Sequence, residues 1–117
     1  MENVRLFFQF LHKFVTLSED EFDTSIKPYC EVRHFRKKHL ITKENEIENY
    51  FNFITKGLVR KYYKKGRTEI NTQISTEGHI IHADESFHGR TPSEYFIEAI
   101  EPVTMVSISY DNLEKIY

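Results

Sequence analysis

A single cysteine, Cys30, and no tryptophan occur among the 117 residues. One thiol cannot close an intramolecular disulfide, nor can it build a cysteine-rich zinc site alone. Only 4 Gly and 3 Pro punctuate the chain, which excludes a collagen-like repeat or a Pro/Gly-rich disordered tract. Long apolar runs are missing too: Leu6 to Phe8 and Phe14 to Val15 fall far short of the roughly 20 residues that span a bilayer. No membrane association is expected. The first residues, Met-Glu-Asn-Val-Arg, carry neither a basic n-region nor a small-residue cleavage site, so no secretory signal is expected and a cytoplasmic address is.

What is abundant is material for a core. Ten Phe and seven Tyr contribute to a hydrophobic content of 39%. A chain of this length reads as one domain and buries roughly two thirds of its unfolded surface, enough to fold without a staple. The formal charge of −2 hides an uneven distribution. Residues 33–67 hold 11 of the 16 basic residues and only 3 acids, so the remainder of the chain is strongly acidic. Lysines at hairpin tips and edge strands discourage edge pairing, and this explains Arg36 to Lys38 and Lys64 to Lys65 better than a phosphate-backbone footprint does.

Phe7, Phe8, Phe10, Leu11, Phe14 and Val15 recur at spacings of three and four, which predicts an amphipathic helix over residues 3–15. Ser18 followed by Glu21 has the form of a capping box and opens a second helix, about 19–26, that stops before Pro28. From there the pattern changes to short segments rich in Val, Ile, Phe, Tyr and Thr. Strands are expected near 30–36, 39–42, 48–55, 58–64, 67–76, 79–82, 94–100 and 103–109, separated by Lys56-Gly57, Lys65-Gly66, Glu77-Gly78, the stretch Asp84 to Ser93, and Glu101-Pro102. Eight short antiparallel strands at near-regular spacing make a sandwich or jelly roll, with Val59, Ile70, Ile74, Ile81, Phe96, Ala99, Val106 and Ile108 inside it. Phe7, Leu11 and Phe14 are expected to seal one end. Ser109 can cap a closing helix whose apolar positions are Leu113, Ile116 and Tyr117. The expected organisation is thus one domain over 1–117: a helical flank at 1–28, an antiparallel eight-stranded jelly roll at 29–109, and the start of a C-terminal helix at 110–117.

Several pieces of sequence fall in a recognisable order. They are Lys56-Gly57-Leu58-Val59-Arg60-Lys61-Tyr62-Tyr63, Glu77-Gly78-His79-Ile80-Ile81, Thr91-Pro92-Ser93, and Ile97-Glu98-Ala99-Ile100-Glu101 followed by Val106-Ser107-Ile108-Ser109. Over about residues 18–117 the chain resembles the cyclic-nucleotide-binding sensor domain of the Crp/Fnr transcription regulators, most of all their divergent Bacteroidetes-type members. That resemblance implies a cassette between two strands in which a Gly-Glu pair and an Arg followed by Ser/Thr hold the cyclic phosphate and ribose. Here the Gly-Glu position falls on His82-Ala83, the Arg position on Pro92, and the hydroxyl position is kept as Ser93. The nearest substitutes are Arg90 for the phosphate, Asp84 or Glu85 for the ribose, and Ser86, Thr91 and Ser93 as hydroxyls. His82 completes this candidate pocket.

The function this implies is a ligand-sensing regulatory domain that does not respond to cyclic AMP in the usual way, with a small anionic ligand as the partner and any residual anion affinity resting on Arg90. No cofactor is expected, a cyclic nucleotide being disfavoured by the lost arginine. DNA would be reached only through a helix-turn-helix, and nothing resembling one occurs in these residues. A homodimer is expected of a longer chain. Two other readings stand beside it: a ligand-free interaction or dimerisation module, and a cupin-like metal protein using His79, His82, Glu85 and His88. The metal reading suffers because His79 and His82 point to opposite faces of any strand. An enzyme is not expected, since neither Ser86 with His88 nor Cys30 with His34 and His39 carries an elbow or an oxyanion loop.

Overall fold

The computed structural model describes residues 2–116. Its elements are α1 (Glu2–His12), α2 (Glu19–Ser25), a 3₁₀ turn (Lys27–Tyr29), β1 (Glu31–Phe35), β2 (Leu40–Thr42), β3 (Tyr50–Lys56), β4 (Val59–Lys65), β5 (Thr68–Ser75), α3 (Asp84–Gly89), β6 (Phe96–Ala99), β7 (Val103–Ser109) and α4 (Tyr110–Ile116). The strands form two antiparallel sheets, a three-stranded one in the order β1-β7-β3 and a four-stranded one in the order β2-β6-β4-β5. Neighbours in each sheet are mostly distant in sequence, which is the jelly-roll signature of strands that cross between layers.

The capping box forms as the sequence predicts. Ser18 Oγ accepts from Glu21 N, and the Glu21 carboxylate accepts from Ser18 N, which holds its carboxyl below the usual range. At the other end Ser109 Oγ accepts from Asn112 N and opens α4. Tyr117, expected on the apolar stripe of that helix, lies outside the described residues.

Two clusters hold the layers together. Between the sheets, Ile54, Val59, Ile81, Ile97, Ala99, Val103 and Met105 close on one another. On the outer face of the three-stranded sheet, Val4 and Phe7 of α1 and Phe22 of α2 pack on Phe53, Val106 and Ile108. Phe7 is the keystone there, its ring 5.4 Å from Phe53 and 6.3 Å from Phe22. A fully buried side chain of this size contributes roughly 1.5–3 kcal/mol. β7 is buried on both faces, Val103 and Met105 between the sheets and Val106 and Ile108, expected inside the roll, under the helices instead, which is why its apolar run is nearly continuous rather than alternating.

Gly57, in the turn between β3 and β4, has φ of +105°, and a Cβ there would lie 2.4 Å from the Pro102 carbonyl oxygen. Only glycine allows the two turns to approach so closely.

The structure corrects the expected pattern in several places. Among the described residues seven strands form where eight are expected. Residues 79–82 make only the isolated bridge Phe53↔Ile80, although Gly78 N, Ile81 N and the His79 carbonyl all bond to β3. α1 stops at His12, leaving Phe14 72% exposed and Leu11 only half-buried. A register shift between Lys61 and Tyr62 breaks the alternation of β4 and β5, so Ile74 is 58% exposed and Ile70 half-buried. In β6 the buried residues are Ile97 and Ala99. Phe96 lies on the opposite face, stacked on Tyr62 at 5.1 Å beside the ion-paired Arg60, Glu69 and Glu98.

Candidate ligand cassette

The stretch expected as loop, Asp84 to Ser93, contains the six-residue helix α3. Its anchor is Phe87, fully buried against the rings of His82 at 5.2 Å and Tyr110 at 5.4 Å. Arg90 ends the helix in the left-handed region, with φ of 55°. The chain then returns through Thr91, Pro92 and Ser93 to β6.

A cavity of about 380 Å³ lies between this segment and the inner face of β4. Asp84, Glu85, Ser86, Thr91 and Ser93 of the expected pocket line it, together with Lys61, Glu94 and Tyr95. His82 and Arg90 do not.

Arg90 is turned the other way. Its Nη1 donates to the carbonyls of Glu48 at 2.9 Å and Phe87 at 3.1 Å, and its Nη2 to Asn49 Oδ1 at 2.7 Å. The guanidinium lies 4.0 Å over the Tyr110 ring. The hydrogen bonds tie the cassette to the segment before β3, and the ring contact ties it to Tyr110, the first residue of α4. The mobile cation expected beside the hydroxyls is therefore a structural clasp.

The serine hydroxyls are also occupied. Ser86 Oγ accepts from Glu48 N and donates to the Thr91 carbonyl. Ser93 Oγ accepts from Tyr95 N at 2.9 Å and donates to the Tyr95 carbonyl at 3.0 Å. A hydroxyl has one proton to give, so both keep only acceptor capacity for a ligand. Thr91 is exposed, and it and the Tyr95 phenol carry the remaining side-chain hydroxyls of the cavity lining.

The cation that does reach the cavity is Lys61. It lies opposite the buried Ile97 in the β4–β6 pair and so shares its inward face. Its Nζ donates to the His82 carbonyl at 3.1 Å and lies 4.7 Å from the Tyr95 ring. Three carboxylates, Asp84, Glu85 and Glu94, line the cavity against this one ammonium.

His82 is 6% exposed, its Nε2 against Asp84 Oδ1 and its Nδ1 buried without a partner. Burial pushes its pKa down to about 4; Asp84 opposes that shift, and Lys61 and His88 reinforce it. The imidazole is neutral at physiological pH. His79 is exposed, and among the described residues no three His, Cys, Asp or Glu side chains converge as a metal site. Burial raises the Cys30 thiol to about 11, where little thiolate exists at neutral pH.

Glu48 is the residue the motif reading gave no weight. It is 4% exposed; Oε2 accepts from Thr42 Oγ1 at 3.0 Å and Oε1 from Ala83 N at 3.3 Å. Burial raises its carboxyl above the usual range, against the pull of Thr42, the Ala83 amide, Arg33 and Lys61. Arg33, read as part of the basic segment, is likewise turned inward. Its Nε donates to Ser107 Oγ at 3.0 Å and its Nη2 to Asn52 Oδ1 at 2.9 Å, with the Tyr50 ring 3.7 Å beneath it. A polar residue within an alternating strand is the one signal that could have marked either residue as inward-facing.

Comparison with known proteins agrees with this architecture. A curated-protein comparison finds no match. The Thermus thermophilus catabolite activator protein superposes with a TM-score of 0.76 at 15% identity, covering 88% of this chain and 48% of its own. The cAMP-bound PfPKA-R gives 0.82 at 13%, covering 98% and 42%. A regulatory subunit of a cAMP-independent protein kinase A from Trypanosoma cruzi, bound to guanosine, gives 0.66 at 16%, covering 74% and 30%. The chain thus spans less than half the length of each, and at these identities the likeness establishes the fold. No helix of the described residues is long and apolar enough to cross a membrane. The family model for the cyclic nucleotide-binding domain matches residues 32–117, and the chain belongs to that family.

Proposed function

We propose that this domain is the ligand-sensing part of a Crp/Fnr-type regulator and that its cassette does not take cyclic AMP in the usual way. The observation that carries the reading is the fate of the cassette's arginine. Pro92 stands where the resemblance places it, and the neighbouring Arg90 spends its guanidinium on two carbonyls, Asn49 and the Tyr110 face. A cyclic phosphate entering the cavity meets Lys61 as a point charge in place of a bidentate fork, with three carboxylates around it. That lining suits an uncharged ligand rich in hydroxyl donors better than an anion, because carboxylates and the lone pairs of Ser86 and Ser93 are acceptors. The guanosine-bound kinase subunit is a protein of this fold holding a ligand that has no phosphate.

Arg90 supplies the route by which occupancy reaches α4, and through α4 a dimer and a DNA-binding module outside these residues. Calorimetric titration with cyclic AMP, cyclic GMP and guanosine tests the reading. The cyclic nucleotides should bind more weakly than about 100 µM, unchanged in Arg90→Ala, while Lys61→Met should abolish whatever binding is left. Micromolar binding of cyclic AMP that survives Lys61→Met would overturn it.

A further inference from the structure

A second cavity, of about 410 Å³, opens beside the first on the other side of Glu48. Arg33, Thr42, Glu48 and Tyr50 supply its buried and half-buried chemistry, Ile41 and Ile47 its apolar wall, and the exposed Glu46 and Asn49 complete the lining. The cassette and the family's phosphate chemistry make no use of it.

The guanidinium of Arg33 is fixed before any ligand arrives. Ser107 and Asn52 hold one edge of it, and Tyr50 and Phe35 lie within 3.7 Å and 5.0 Å of it. Two of its five N–H donors are engaged, so three remain to be satisfied. Asn52, fully buried, keeps Nδ2 without a partner although its Oδ1 accepts from both Arg33 and Ser107.

The buried Glu48 carboxylate lines the same cavity. Each of its oxygens receives one donor, from Thr42 or Ala83, which leaves each able to accept another. Among the described residues Arg33 and Glu48 do not form an ion pair, although they line one cavity. Two opposite charges held apart by their own supports, with a gap between, match a ligand that carries both signs close together.

We propose that this cavity binds a free α-amino acid, its carboxylate on the Arg33 guanidinium, its ammonium on Glu48, and its side chain along Tyr50, Ile41 and Ile47. Neither charge is then left desolvated and unpaired, as it would be with a plain carboxylate facing Glu48 or a plain amine facing Arg33. The proposal does not depend on what the cassette takes.

The test is a titration of the full chain with each of the common amino acids at up to about 10 mM, followed by melting temperature and by the NMR signals of Arg33 Nε–H and the Asn52 side-chain amide. At least one amino acid should raise the melting temperature and move both signals saturably. Its decarboxylated amine and its deaminated acid should each bind about tenfold or more weakly. Arg33→Lys keeps the charge but loses the fork, and Glu48→Gln keeps the shape but loses the charge; both should weaken binding by a similar factor while remaining folded. Glu94→Gln, on the lining of the first cavity alone, should leave it intact, which separates this site from the cassette. Absence of any saturable shift, or equal binding by the amine and the acid alone, would overturn the proposal.

Discussion

Four strands run from one end of the roll to the other, and on each the inward-facing residue changes character within two positions. Phe35 gives way to Arg33 on β1, Ile54 to Asn52 on β3, Val59 to Lys61 on β4, and Met105 to Ser107 on β7. The first set closes on itself as an apolar core. The second, joined by Glu48 and His82 from the connecting segments, is a run of polar groups whose two unpartnered buried atoms are Asn52 Nδ2 and His82 Nδ1 among the described residues. Strand geometry turns side chains inward whatever their polarity, so the polar end is specified by sequence as firmly as the core. One end supplies stability, and the other gives some of it up to keep charges and donors facing a space.

The largest effect should come from opening the apolar end. Ile97 is fully buried between the sheets, and Ile97→Ala should cost about 2–5 kcal/mol, read from the denaturant midpoint. Ser107→Ala, at the equivalent depth in the polar end, removes two hydrogen bonds, one from Arg33 and one to Asn52, and should cost about 1–2 kcal/mol. Equal costs at the two positions would erase the distinction.

Titration breaks the comparison from the polar side. His82 has its folded pKa lowered to about 4 from 6.5, so between those values the native state binds fewer protons than the unfolded chain. Stability therefore rises with pH across that window, and up to about 3 kcal/mol present above pH 6.5 is lost as pH falls through 4. Glu48 acts in the opposite sense. Its raised carboxyl keeps a proton the unfolded chain has already released, so stability falls as pH climbs from the ordinary carboxylate value to the folded one. His82→Phe should remove the rising limb, and Glu48→Gln the falling one, in melting curves recorded from pH 4 to 8. With that opposing limb removed, a Glu48→Gln profile that is flat below pH 6.5 would show that the histidine is not held neutral by burial.

Arg90→Ala should have a middling effect, about 1–3 kcal/mol, since two carbonyls and Asn49 lose a charged donor. Its specific sign is local: amide exchange at Asn112 and Leu113 in α4 should quicken more than exchange in β4. Uniform quickening would mean that the clasp adds stability without linking cassette to helix.

The apolar end and the flanking helices were legible because period and capping are local. Ser18 and Glu21 announce α2, and alternation places Val59, Ile81 and Ala99 between the sheets, whereas Val106 and Ile108 are buried on the opposite face of β7, under α1 and α2. The register shift at Lys61/Tyr62 was not legible, because nothing in Arg60-Lys61-Tyr62-Tyr63 marks an extra residue on the partner strand. That shift leaves Ile74 exposed. α3 was hidden by its brevity and by Ala83, which caps without a side-chain bond. In the cassette, the residues expected from spacing do gather around the cavity, apart from His82 and Arg90. The outward turn of Arg90 depends on Glu48, Asn49 and Tyr110, about 20 to 42 positions away, and no local pattern encodes it. Arg33 and Lys61 were absorbed into a basic segment because charge counting ignores the face of the strand.

The smallest effect is the one that most sharpens the comparison. Lys61 faces inward, yet it makes a single hydrogen bond, to the His82 carbonyl, and rests over Tyr95. Methionine has a similar unbranched stem, so Lys61→Met keeps the packing, removes a half-buried charge and leaves one carbonyl to find water at the cavity. The desolvation relieved and the bond lost are of similar size, so the midpoint should move by less than about 1 kcal/mol in either direction. Ligand affinity should respond far more, because among the described residues the ammonium is the cavity's one cationic lining group. A residue that matters to binding and not to folding is the expected mark of the polar end, whereas a loss as large as that of Ile97→Ala would make Lys61 part of the scaffold.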